Sequence, residues 1–303
     1  MSPRPYVVVL AGGEGTRLAS LTRALYGTDL PKQFAILAGE RSLLQQAIDR
    51  AGLLTTLDHV LVVVTGHREA IAREQIAHYP GVELVVQPHN LDTGPGLLLP
   101  LVRILARAPD ARVVFLPSDH YVDNAAPLVD AVGRMALAEL RDRIALVGVA
   151  PAGPEIDYGW IVHGGRIGAT GAFTIARFHE KPSQRVADQL FRDGGLWNTF
   201  ISAGRAHVFW ALARHHLPTH AAALERVGAA IGGLAEAAEL EAAYAAMRPA
   251  NFSHDILAHA RSLAVLPVAG TGWSDWGSPQ RVFASLAGTP NHARLVERIR
   301  GAA

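Results

Sequence analysis

The stretch that decides the fold reads Leu10-Ala11-Gly12-Gly13-Glu14-Gly15-Thr16-Arg17-Leu18, and it follows directly on the apolar run Tyr6–Leu10. In an open α/β sheet, the loop that leaves the carboxyl end of the first strand faces the ligand crevice. Glycines in such a loop let backbone N–H groups approach phosphate oxygens closely, and Arg17 would add positive charge. A glycine-rich turn is also typical of dinucleotide-binding proteins and of ordinary strand-to-helix turns, although the Gly-x-Gly-x-x-Gly spacing is absent. The stretch therefore predicts either a phosphate-binding loop or a structural turn.

Short valine-rich runs recur through the first half of the chain, and helix-like stretches separate most of them. The runs are Tyr6–Leu10, Ile144–Val149 and residues 59–64, 82–86 and 112–116. Apolar residues on consecutive positions favour strands covered on both faces, as in a mostly parallel sheet with helices above and below. Residues 42–51 are predicted to form one such helix, with Ser42 as its N-cap and Gly52 as its stop.

The second half has a different composition, with glycine and aromatic residues mixed into short strand-like pieces. Residues 158–163, 173–179 and 197–202 are predicted to form an antiparallel extension that carries a substrate pocket. The alanine-rich residues 220–247 predict one or two helices. We expect a single domain over residues 1–303, with a first half (1–150), a second half (151–303) and a C-terminal helical cap.

Composition excludes several classes of function. Half of the 303 residues are hydrophobic and the formal net charge is +1, so no bulk field is available to hold nucleic acid or an anionic membrane. Cysteine is absent, which excludes disulfides, thiolate metal sites and a cysteine nucleophile. No apolar run approaches the roughly 18 residues of a membrane span. We expect a cytoplasmic protein whose partners are small molecules or a second copy, as in a homodimer.

Lysine has been almost wholly replaced by arginine. The 28 basic residues include only two lysines, Lys32 and Lys181. An ammonium is a compact point charge whereas a guanidinium is a broad planar fork, so arginine does not substitute for every lysine. The two lysines therefore mark candidate sites, against the alternative of chance survival on a solvated surface.

Two carboxylates lie in segments of unusual composition. Asp119 follows directly on the apolar run 112–116 and its Pro117-Ser118 extension, and Asp275 lies within Trp273-Ser274-Asp275-Trp276-Gly277. Two carboxylates far apart in sequence can share one Mg²⁺, which also binds substrate phosphates. The alternative is a turn or helix-cap role, for which aspartate is equally suited.

The pattern Leu-Ala-Gly-Gly-x-Gly-Thr-Arg-Leu, followed by Pro31-Lys32-Gln33-Phe34, resembles the signature of the sugar-1-phosphate nucleotidyltransferases. Pro-Lys-Gln-Phe points toward their mannose-1-phosphate guanylyltransferase branch. This resemblance implies a Rossmann-like fold of the GT-A type, with a mixed, mostly parallel sheet and helices on both faces. It implies that Arg17, Lys32 and Asp119 are catalytic and that Asp119 and Asp275 hold Mg²⁺. The nucleotide-binding residues that it implies are Leu10, Ala11, Gly12, Gly13, Gly15, Thr16, Gln87 and Gly94.

The sugar side resembles the same family. Phe178-His179-Glu180-Lys181-Pro182 is similar to its Glu-Lys-Pro signature, which implies that Glu180 accepts hydrogen bonds from sugar hydroxyls and that Lys181 pairs with the sugar phosphate. Gly159 would allow a close approach of the sugar, and Asn198 would bind its hydroxyls. Phe200 departs from the family pattern, in which a small residue or glycine is commoner, and is expected to narrow the sugar pocket.

The resemblance implies transfer of GMP from GTP to α-D-mannose 1-phosphate, giving GDP-mannose and pyrophosphate by an Mg²⁺-dependent, in-line attack on the α-phosphate. No general base is assigned, because a phosphate oxygen is already a competent nucleophile. The alternatives are a relative that uses UTP, ATP, dTTP or CTP, including the methylerythritol-phosphate cytidylyltransferases, a silent nucleotide-sugar-binding protein, and a nicotinamide oxidoreductase. No long extension follows the resemblance, so we expect a stand-alone transferase.

Overall fold

A computed structural model describes residues 4–135 and 140–302, so the predicted domain limits at residues 1 and 303 lie outside the described residues. Within these residues, the strands all belong to one nine-stranded sheet. They are Tyr6–Leu10 (β1), Val60–Thr65 (β2), Glu83–Gln87 (β3), Arg112–Pro117 (β4), Ile144–Val149 (β5), Gly159–Ile167 (β6), Ala172–Glu180 (β7), Leu196–Arg205 (β8) and Leu263–Val268 (β9). The five predicted strands of the first half and the three of the second half are therefore present.

The sheet order is β3-β2-β1-β4-β8-β5-β9-β7-β6. The first four strands are parallel, and Leu10 at the end of β1 is level with Val63 and Pro117 of its two neighbours. β8 runs antiparallel between β4 and β5, whereas β5 and β9 are parallel. β1 lies between β2 and β4, and the chain crosses over to one side of β1 to reach β2 and to the other side to reach β4. At such a topological switch point, the carboxyl ends of the adjacent strands, here β1 and β4, form a ligand crevice.

The helices lie on both faces of the sheet and at its ends. They are Ala19–Tyr26 (α1), Leu43–Gly52 (α2), Glu69–Ile76 (α3), Thr93–Arg107 (α4), Ala126–Arg134 (α5), Gln184–Arg192 (α6), Ala206–His216 (α7), Pro218–Ala230 (α8), Glu236–Ala246 (α9), Pro279–Leu286 (α10) and Pro290–Ala302 (α11). The alanine-rich residues 220–247, for which one or two helices were predicted, thus belong mostly to two helices, α8 and α9. Within the described residues, none of the helices combines the length and apolarity needed to span a bilayer.

The consecutive apolar positions of the strands are explained by two separate cores. Val8 points into the core that α4, α7, α8 and α9 cover, while Val7 and Val9 point into the core beneath α2, α3 and α5. Successive side chains of a strand face opposite sides of the sheet, so burial on both faces requires an apolar residue at every position. The α/β prediction, with helices on both faces, is confirmed.

Helix α2 shows how local sequence sets an element boundary. The Ser42 side chain accepts a hydrogen bond from the Gln45 N–H, and the Gln45 side chain accepts one from the Ser42 N–H. This reciprocal capping box satisfies two N–H groups that the first turn leaves free. The helix starts where Ser42 predicts, but Gly52 is its last residue and Leu53 its C-cap.

The second half of the chain contributes β6, β7, β8 and β9, which complete the sheet. β6 pairs with both β7 and the start of β8, so β8, β5, β9, β7 and β6 form a closed circuit of strands. The C-terminal helices α10 and α11 pack with α1 in a third core that contains Leu21, Trp276, Val282 and Leu295. The predicted C-terminal helical cap is therefore present, and it lies against the segment that carries Asp275.

β9 was not predicted, although it lies inside the sheet between β5 and β7. Its sequence, Leu263–Val268, ends in Pro267 and Val268 and follows a run of polar and charged residues. A proline argues against an interior strand because it cannot donate to the ladder. Here Pro267 is the exposed, next-to-last residue of the strand, where this loss is small.

Candidate active site

One cavity of about 590 Å³ opens at the carboxyl ends of β1 and β4 and is lined from both halves of the chain. The predicted site residues that line it are Leu10, Gly12, Gly13, Arg17, Gln87, Asp119, Gly159, Glu180, Lys181, Asn198 and Asp275. Residues predicted to bind nucleotide and residues predicted to bind sugar phosphate thus share one space, which can accommodate two substrates side by side.

The other predicted residues are not among those that line the cavity. Gly15 has a φ of +64°, and a Cβ on it would lie 2.8 Å from the Lys32 nitrogen. A side chain there would push the glycine loop away from Lys32, so this glycine serves close packing of two loops. Gly94 donates its N–H to the Ala250 carbonyl at 2.7 Å. Ala11 is buried, and Thr16 begins a short 3₁₀-helix.

Lys32 joins the predicted catalytic groups. Its side chain is only 5% exposed, and Nζ lies 3.2 Å from Asp119 Oδ2. The same ammonium donates to the main-chain carbonyl of Asp275 and, at 3.4 Å, to that of Trp276. A buried ammonium requires such partners because an unpaired charge is costly away from water. Lys32 therefore holds the loop after β4 against the segment before α10.

Asp275 is held by groups from three segments. Its Oδ1 accepts from the Tyr158 hydroxyl at 2.7 Å, from the Gly277 N–H at 2.9 Å and from Arg281 Nη1 at 3.2 Å. Burial raises the pKa of this carboxyl, but the Tyr158 hydrogen bond and the Lys32 charge bring it below its ordinary value. Arg17 is more loosely bound, because its Nη2 lies 3.7 Å from Asp275 Oδ2 and its side chain is 58% exposed.

Asp119 is also kept ionised. Burial raises the pKa of its carboxyl, but the charge and the hydrogen bond of Lys32 hold that pKa below its ordinary value. Burial lowers the pKa of His120, so its imidazole is neutral at neutral pH. His120 Nδ1 accepts from Trp273 Nε1 at 3.3 Å. The histidine therefore acts as a packing and hydrogen-bonding group.

Asp119 and Asp275 fit a Mg²⁺ site, in which water and substrate supply most of the ligands, better than a site in which the protein supplies them all. No cluster of three or more potential histidine or carboxylate ligands occurs in residues 4–135 and 140–302. Mg²⁺ typically takes one or two carboxylates and fills its other positions with water and substrate phosphates. Asp119 and Asp275 are both ionised, both line the cavity and both lie beside Lys32. This donor set fits a magnesium ion that arrives with a nucleotide.

The opposite wall carries Glu180 and Lys181 at the end of β7. Burial raises the pKa of Glu180, and the charge of Lys181 opposes that shift. Lys181 Nζ lies 4.0 Å from Glu180 Oε1 but its side chain is 65% exposed, so it is free to pair with an anion. A Cβ on Gly159 would lie 2.9 Å from Glu180 Oε2. Gly159 therefore makes room for the Glu180 carboxylate beside the cavity.

Two buried carboxamides face the cavity with their oxygens already bonded. Asn198 Oδ1 accepts from the Phe200 N–H at 3.1 Å, and Gln87 Oε1 accepts from the Tyr244 hydroxyl at 3.0 Å. Both carboxamides line the cavity. Because an amide oxygen that is satisfied by the protein leaves the NH₂ group for a ligand, both side chains present hydrogen-bond donors to a substrate.

Backbone strain is concentrated around this cavity. In the described part of the chain, the non-glycine residues with positive φ are Asp92, Lys181, Phe200 and Trp276. The first three line the cavity, and the fourth follows Asp275. Such conformations cost of order 1–3 kcal/mol each and persist where surrounding structure enforces them, often at binding sites. The strain therefore supports a functional role for this cavity.

Several lining residues carry no sequence signal that marked them as site residues. Asp92 accepts from the Asn251 side chain at 3.2 Å and from the Thr93 N–H at 2.6 Å, which caps α4. Ser253, Tyr158 and Trp273 also line the cavity. Asp92 lies between Gln87 and Gly94, which were predicted to bind the nucleotide, and Trp273 lies inside the Asp275 motif. Asn251 lies outside every motif.

Comparison with known proteins places this geometry in a family. The nucleotidyl transferase family model matches residues 6–289, and the chain belongs to that family. Among curated proteins it is 29% identical to mannose-1-phosphate guanylyltransferase ManC of Salmonella typhimurium, over 94% of this chain and 60% of ManC. It is also 29% identical to the alginate biosynthesis protein AlgA of Pseudomonas fluorescens, over 89% of this chain and 56% of AlgA. The chain thus spans little more than half the length of these relatives.

Solved structures agree with this placement. The structure described as mannose-1-phosphate geranyltransferase from Thermus thermophilus superimposes with a TM-score of 0.82 at 28% identity, covering 95% of this chain and 81% of that one. UDP-glucose pyrophosphorylase with bound UDP-glucose gives a TM-score of 0.61 at 13% identity, over 97% of this chain and 100% of that one, and so shows the shared fold alone. The resemblance to sugar-1-phosphate nucleotidyltransferases, and among them to mannose-1-phosphate guanylyltransferases, is confirmed.

Proposed function

We propose that this protein transfers GMP from GTP to α-D-mannose 1-phosphate, producing GDP-mannose and pyrophosphate. The observation that carries the proposal is the contact of Lys32 with Asp119 and the Asp275 backbone, in a cavity whose other wall holds Glu180 and Lys181. A buried cation with two carboxylates fits a nucleoside triphosphate and its metal ion. The exposed cation of Lys181 fits a second phosphate.

The triphosphate would lie over the glycine loop. Gly12 and Gly13 line the cavity, and a Cβ on Gly13 would meet nothing within 4 Å, so the backbone there is open to phosphate oxygens. Arg17 makes only a loose contact with Asp275 and has an exposed guanidinium. It is therefore free to turn toward the β- and γ-phosphates, where a guanidinium can bind two oxygens at once.

Asp119 and Asp275 would hold Mg²⁺, which when bound neutralises charge on the α-phosphate and on the departing pyrophosphate. Lys32, which contacts the Asp119 carboxylate and the Asp275 main-chain carbonyl, adds a fixed positive charge at the same place. Because these charges are already in position before reaction, they stabilise the transition state without reorganisation.

The chemical step requires positioning and no proton transfer. An oxygen of the sugar 1-phosphate forms a bond to the α-phosphorus while the bond from that phosphorus to the bridging oxygen of pyrophosphate breaks. Lys181 would hold the attacking phosphate, and Glu180 and Asn198 would hold the sugar hydroxyls. Holding two anions in line accounts for a large share of such a rate enhancement.

The choice of GTP and mannose rests on sequence resemblance and on one feature of the site. Pro31-Lys32-Gln33-Phe34 resembles the mannose-1-phosphate guanylyltransferase branch, and ManC carries that activity in its name. The Gln87 NH₂ group faces the cavity as a donor, which suits the acceptor edge of guanine. We also propose that the protein works in the cytoplasm, with these two small molecules as partners, alone or as a homodimer.

A matrix of substrates tests this proposal. Pyrophosphate release is measured with Mg²⁺ for GTP, ATP, UTP, CTP and dTTP, each against mannose 1-phosphate, glucose 1-phosphate and related sugar phosphates. We expect the highest kcat/KM for GTP with mannose 1-phosphate. Activity with a different nucleotide and sugar phosphate would support nucleotidyl transfer but show that the proposed substrates are wrong. Binding of GTP without pyrophosphate release for any pair would instead support a silent nucleotide-sugar-binding protein.

A further inference from the structure

The hydrogen bond between Tyr244 and Gln87 links a distant helix to the nucleotide side of the cavity. Gln87 ends β3 and is 3% exposed, and Tyr244 lies on α9 and is 1% exposed. The tyrosine hydroxyl and Gln87 Oε1 are 3.0 Å apart. Both groups are buried, so the bond between them has no competition from water.

This bond fixes the orientation of the Gln87 carboxamide. In the described residues, the Tyr244 hydroxyl makes its single hydrogen bond to Gln87, and Gln87 Nε2 has no acceptor. If the carboxamide turned over, its NH₂ group could donate to the hydroxyl oxygen, but the hydroxyl hydrogen would lose its acceptor and the Gln87 oxygen would face the cavity instead. A buried donor without an acceptor costs roughly 1–3 kcal/mol. The observed orientation is therefore favoured while Tyr244 is present.

The surroundings leave the NH₂ group directed at the ligand space. A Cβ on Gly12 would lie 2.9 Å from Gln87 Nε2, and a Cβ on Gly96 would lie 3.3 Å from Oε1. Glycine at both positions makes room for the carboxamide between the glycine loop and α4. Gly12, Gly96 and Gln87 all line the cavity, so the unpartnered donor is available to a bound nucleotide.

We propose that Tyr244 is a positioning residue that selects the base of the nucleotide by holding Gln87 so that only N–H donors face it. This inference rests on the proposed function, in which that base is guanine. Guanine presents the acceptors O6 and N7 on one edge, whereas adenine presents N7 with an amino group at the position of O6. A fixed NH₂ group therefore accepts a 6-oxopurine and opposes a 6-aminopurine.

Tyr244 is held by its position on α9, which packs against α8. Among its residues only Ala243 and Tyr244 are buried, and the rest of the helix is largely exposed. The Tyr244 ring also receives the edge of His89, with ring centroids 5.5 Å apart. Tyr244 thus contacts the last residue of β3 and a residue of the loop that follows it, which restricts the position of the hydroxyl as well as that of its partner.

The test compares Tyr244→Phe with the wild-type protein, using GTP and ATP as competing substrates. Without the hydroxyl, Gln87 can present its oxygen to the amino group of adenine, so the ratio of kcat/KM for GTP to that for ATP should fall about tenfold. The change should appear in the nucleotide KM, because the phosphates and their cations are untouched. Tyr79→Phe is the matched control, since it removes a hydroxyl that donates to Asp49 at 3.1 Å, outside the cavity lining.

A second variant keeps the test decisive if Tyr244→Phe does not fold. Gln87→Glu retains one oxygen for the Tyr244 hydroxyl and presents a second oxygen to the base, so it should reverse the preference from GTP toward ATP. A GTP to ATP ratio that stays within about twofold of wild type in Tyr244→Phe, or in Gln87→Glu, would overturn the role of Tyr244. A wild-type protein that does not use GTP would overturn the proposed function itself, and this inference with it.

Discussion

The Lys32 ammonium lies 3.2 Å from Asp119 Oδ2, and the two residues come from opposite ends of the nucleotide half. Lys32 follows the glycine loop, and Asp119 follows β4. Because Lys32 also donates to the Asp275 main-chain carbonyl, one buried ammonium connects the segment after the glycine loop with both residues predicted to hold magnesium. The proposed chemistry depends on this contact.

Removing the Lys32 charge should abolish most turnover. We expect Lys32→Met to lower kcat by about 10²–10³-fold, the range found when one preorganised stabilising donor is removed from an active site. Lys32→Arg should rescue little, because a planar guanidinium does not fit a pocket that encloses a point charge. Rates of pyrophosphate release at saturating substrates check this prediction. A Lys32→Met enzyme within about threefold of wild type would contradict it.

Lys181 provides the matched control, since it is the other lysine of the chain. Lys181→Ala should chiefly raise the KM for the sugar 1-phosphate, because its exposed ammonium lies on the Glu180 wall of the cavity. The KM for the nucleotide should stay close to that of wild type. A change confined to the nucleotide KM would show that Lys181 belongs to the other subsite.

The magnesium prediction concerns Asp119. Asp119→Asn should remove Mg²⁺-dependent turnover while the protein stays folded, because the asparagine lacks the charge that a hard cation requires. Chelation of divalent ions should have the same effect on wild type. Asp123→Asn is the control, since Asp123 accepts from the Tyr121 hydroxyl at 3.0 Å outside the cavity lining. Retained activity and an unchanged magnesium requirement in Asp119→Asn would contradict the assignment.

The pH dependence of sugar-phosphate use should reveal Glu180. Burial raises its pKa above the ordinary 4.5, so the carboxyl is protonated below that raised value and charged above it. Its contribution to stability is present at low pH and is lost as the pH rises through its folded pKa. Because the charged form accepts from sugar hydroxyls, kcat/KM for the sugar 1-phosphate should decrease as pH falls through that pKa. Asp119 and Asp275, with lowered pKa values, stay ionised over this range.

Glu180→Gln separates this effect from titration of the substrate. The second ionisation of a phosphate monoester occurs near pH ~6, so part of the acidic decrease belongs to the sugar phosphate. That part should remain in the variant, and the part due to Glu180 should disappear. The variant should also be more stable than wild type at neutral pH. Superimposable pH profiles for wild type and variant would exclude a role for Glu180 in binding.

Phe200 combines backbone strain with a position in the sugar pocket. Its φ is +62°, and its ring packs edge-on against Phe252 with centroids 6.0 Å apart. Glycine adopts this conformation without the steric penalty of a Cβ, so Phe200→Gly should be more stable than Phe200→Ala by about 1 kcal/mol. Both variants should accept bulkier sugar 1-phosphates. Urea unfolding measures the difference in stability, and product analysis measures the change in sugar scope.

The same pair of substitutions at Ile201 is the control. Ile201 lies next in β8 and is not among the residues with positive φ. At such a position alanine is more stable than glycine by roughly 0.5–1 kcal/mol, because glycine loses more backbone entropy on folding. If Phe200→Ala were also the more stable of its pair, strain at this position would be refuted.

Much of the fold could be predicted because its signals are local. The alternation of valine-rich runs with helices indicated β1 to β5, and Ser42 marked the start of α2. Asp119 was predictable as a site residue because the end of a parallel strand faces the ligand crevice. β9 was missed, since its position between β5 and β7 is decided by tertiary pairing and its proline suggested otherwise.

The rest of the site depends on contacts between distant segments. Tyr244 reaches Gln87 from an alanine-rich helix, and Arg281 reaches Asp275 from α10. Nothing in the sequence around Tyr244 or Arg281 distinguishes either one from an ordinary residue of a helix. Gly15 was predicted to bind the nucleotide, but only the structure shows that a Cβ at this position would meet the Lys32 backbone. The roles assigned to individual site residues stay predictions.

The most direct test of the proposed reaction uses mannose 1-phosphate with ¹⁸O in its phosphate oxygens, incubated with GTP, Mg²⁺ and the protein. We predict GDP-mannose that carries all of the label, with unlabelled pyrophosphate in equal amount, by mass spectrometry. Attack of the sugar phosphate on the α-phosphorus requires this distribution. Label in the pyrophosphate, or GTP bound without either product, would contradict it.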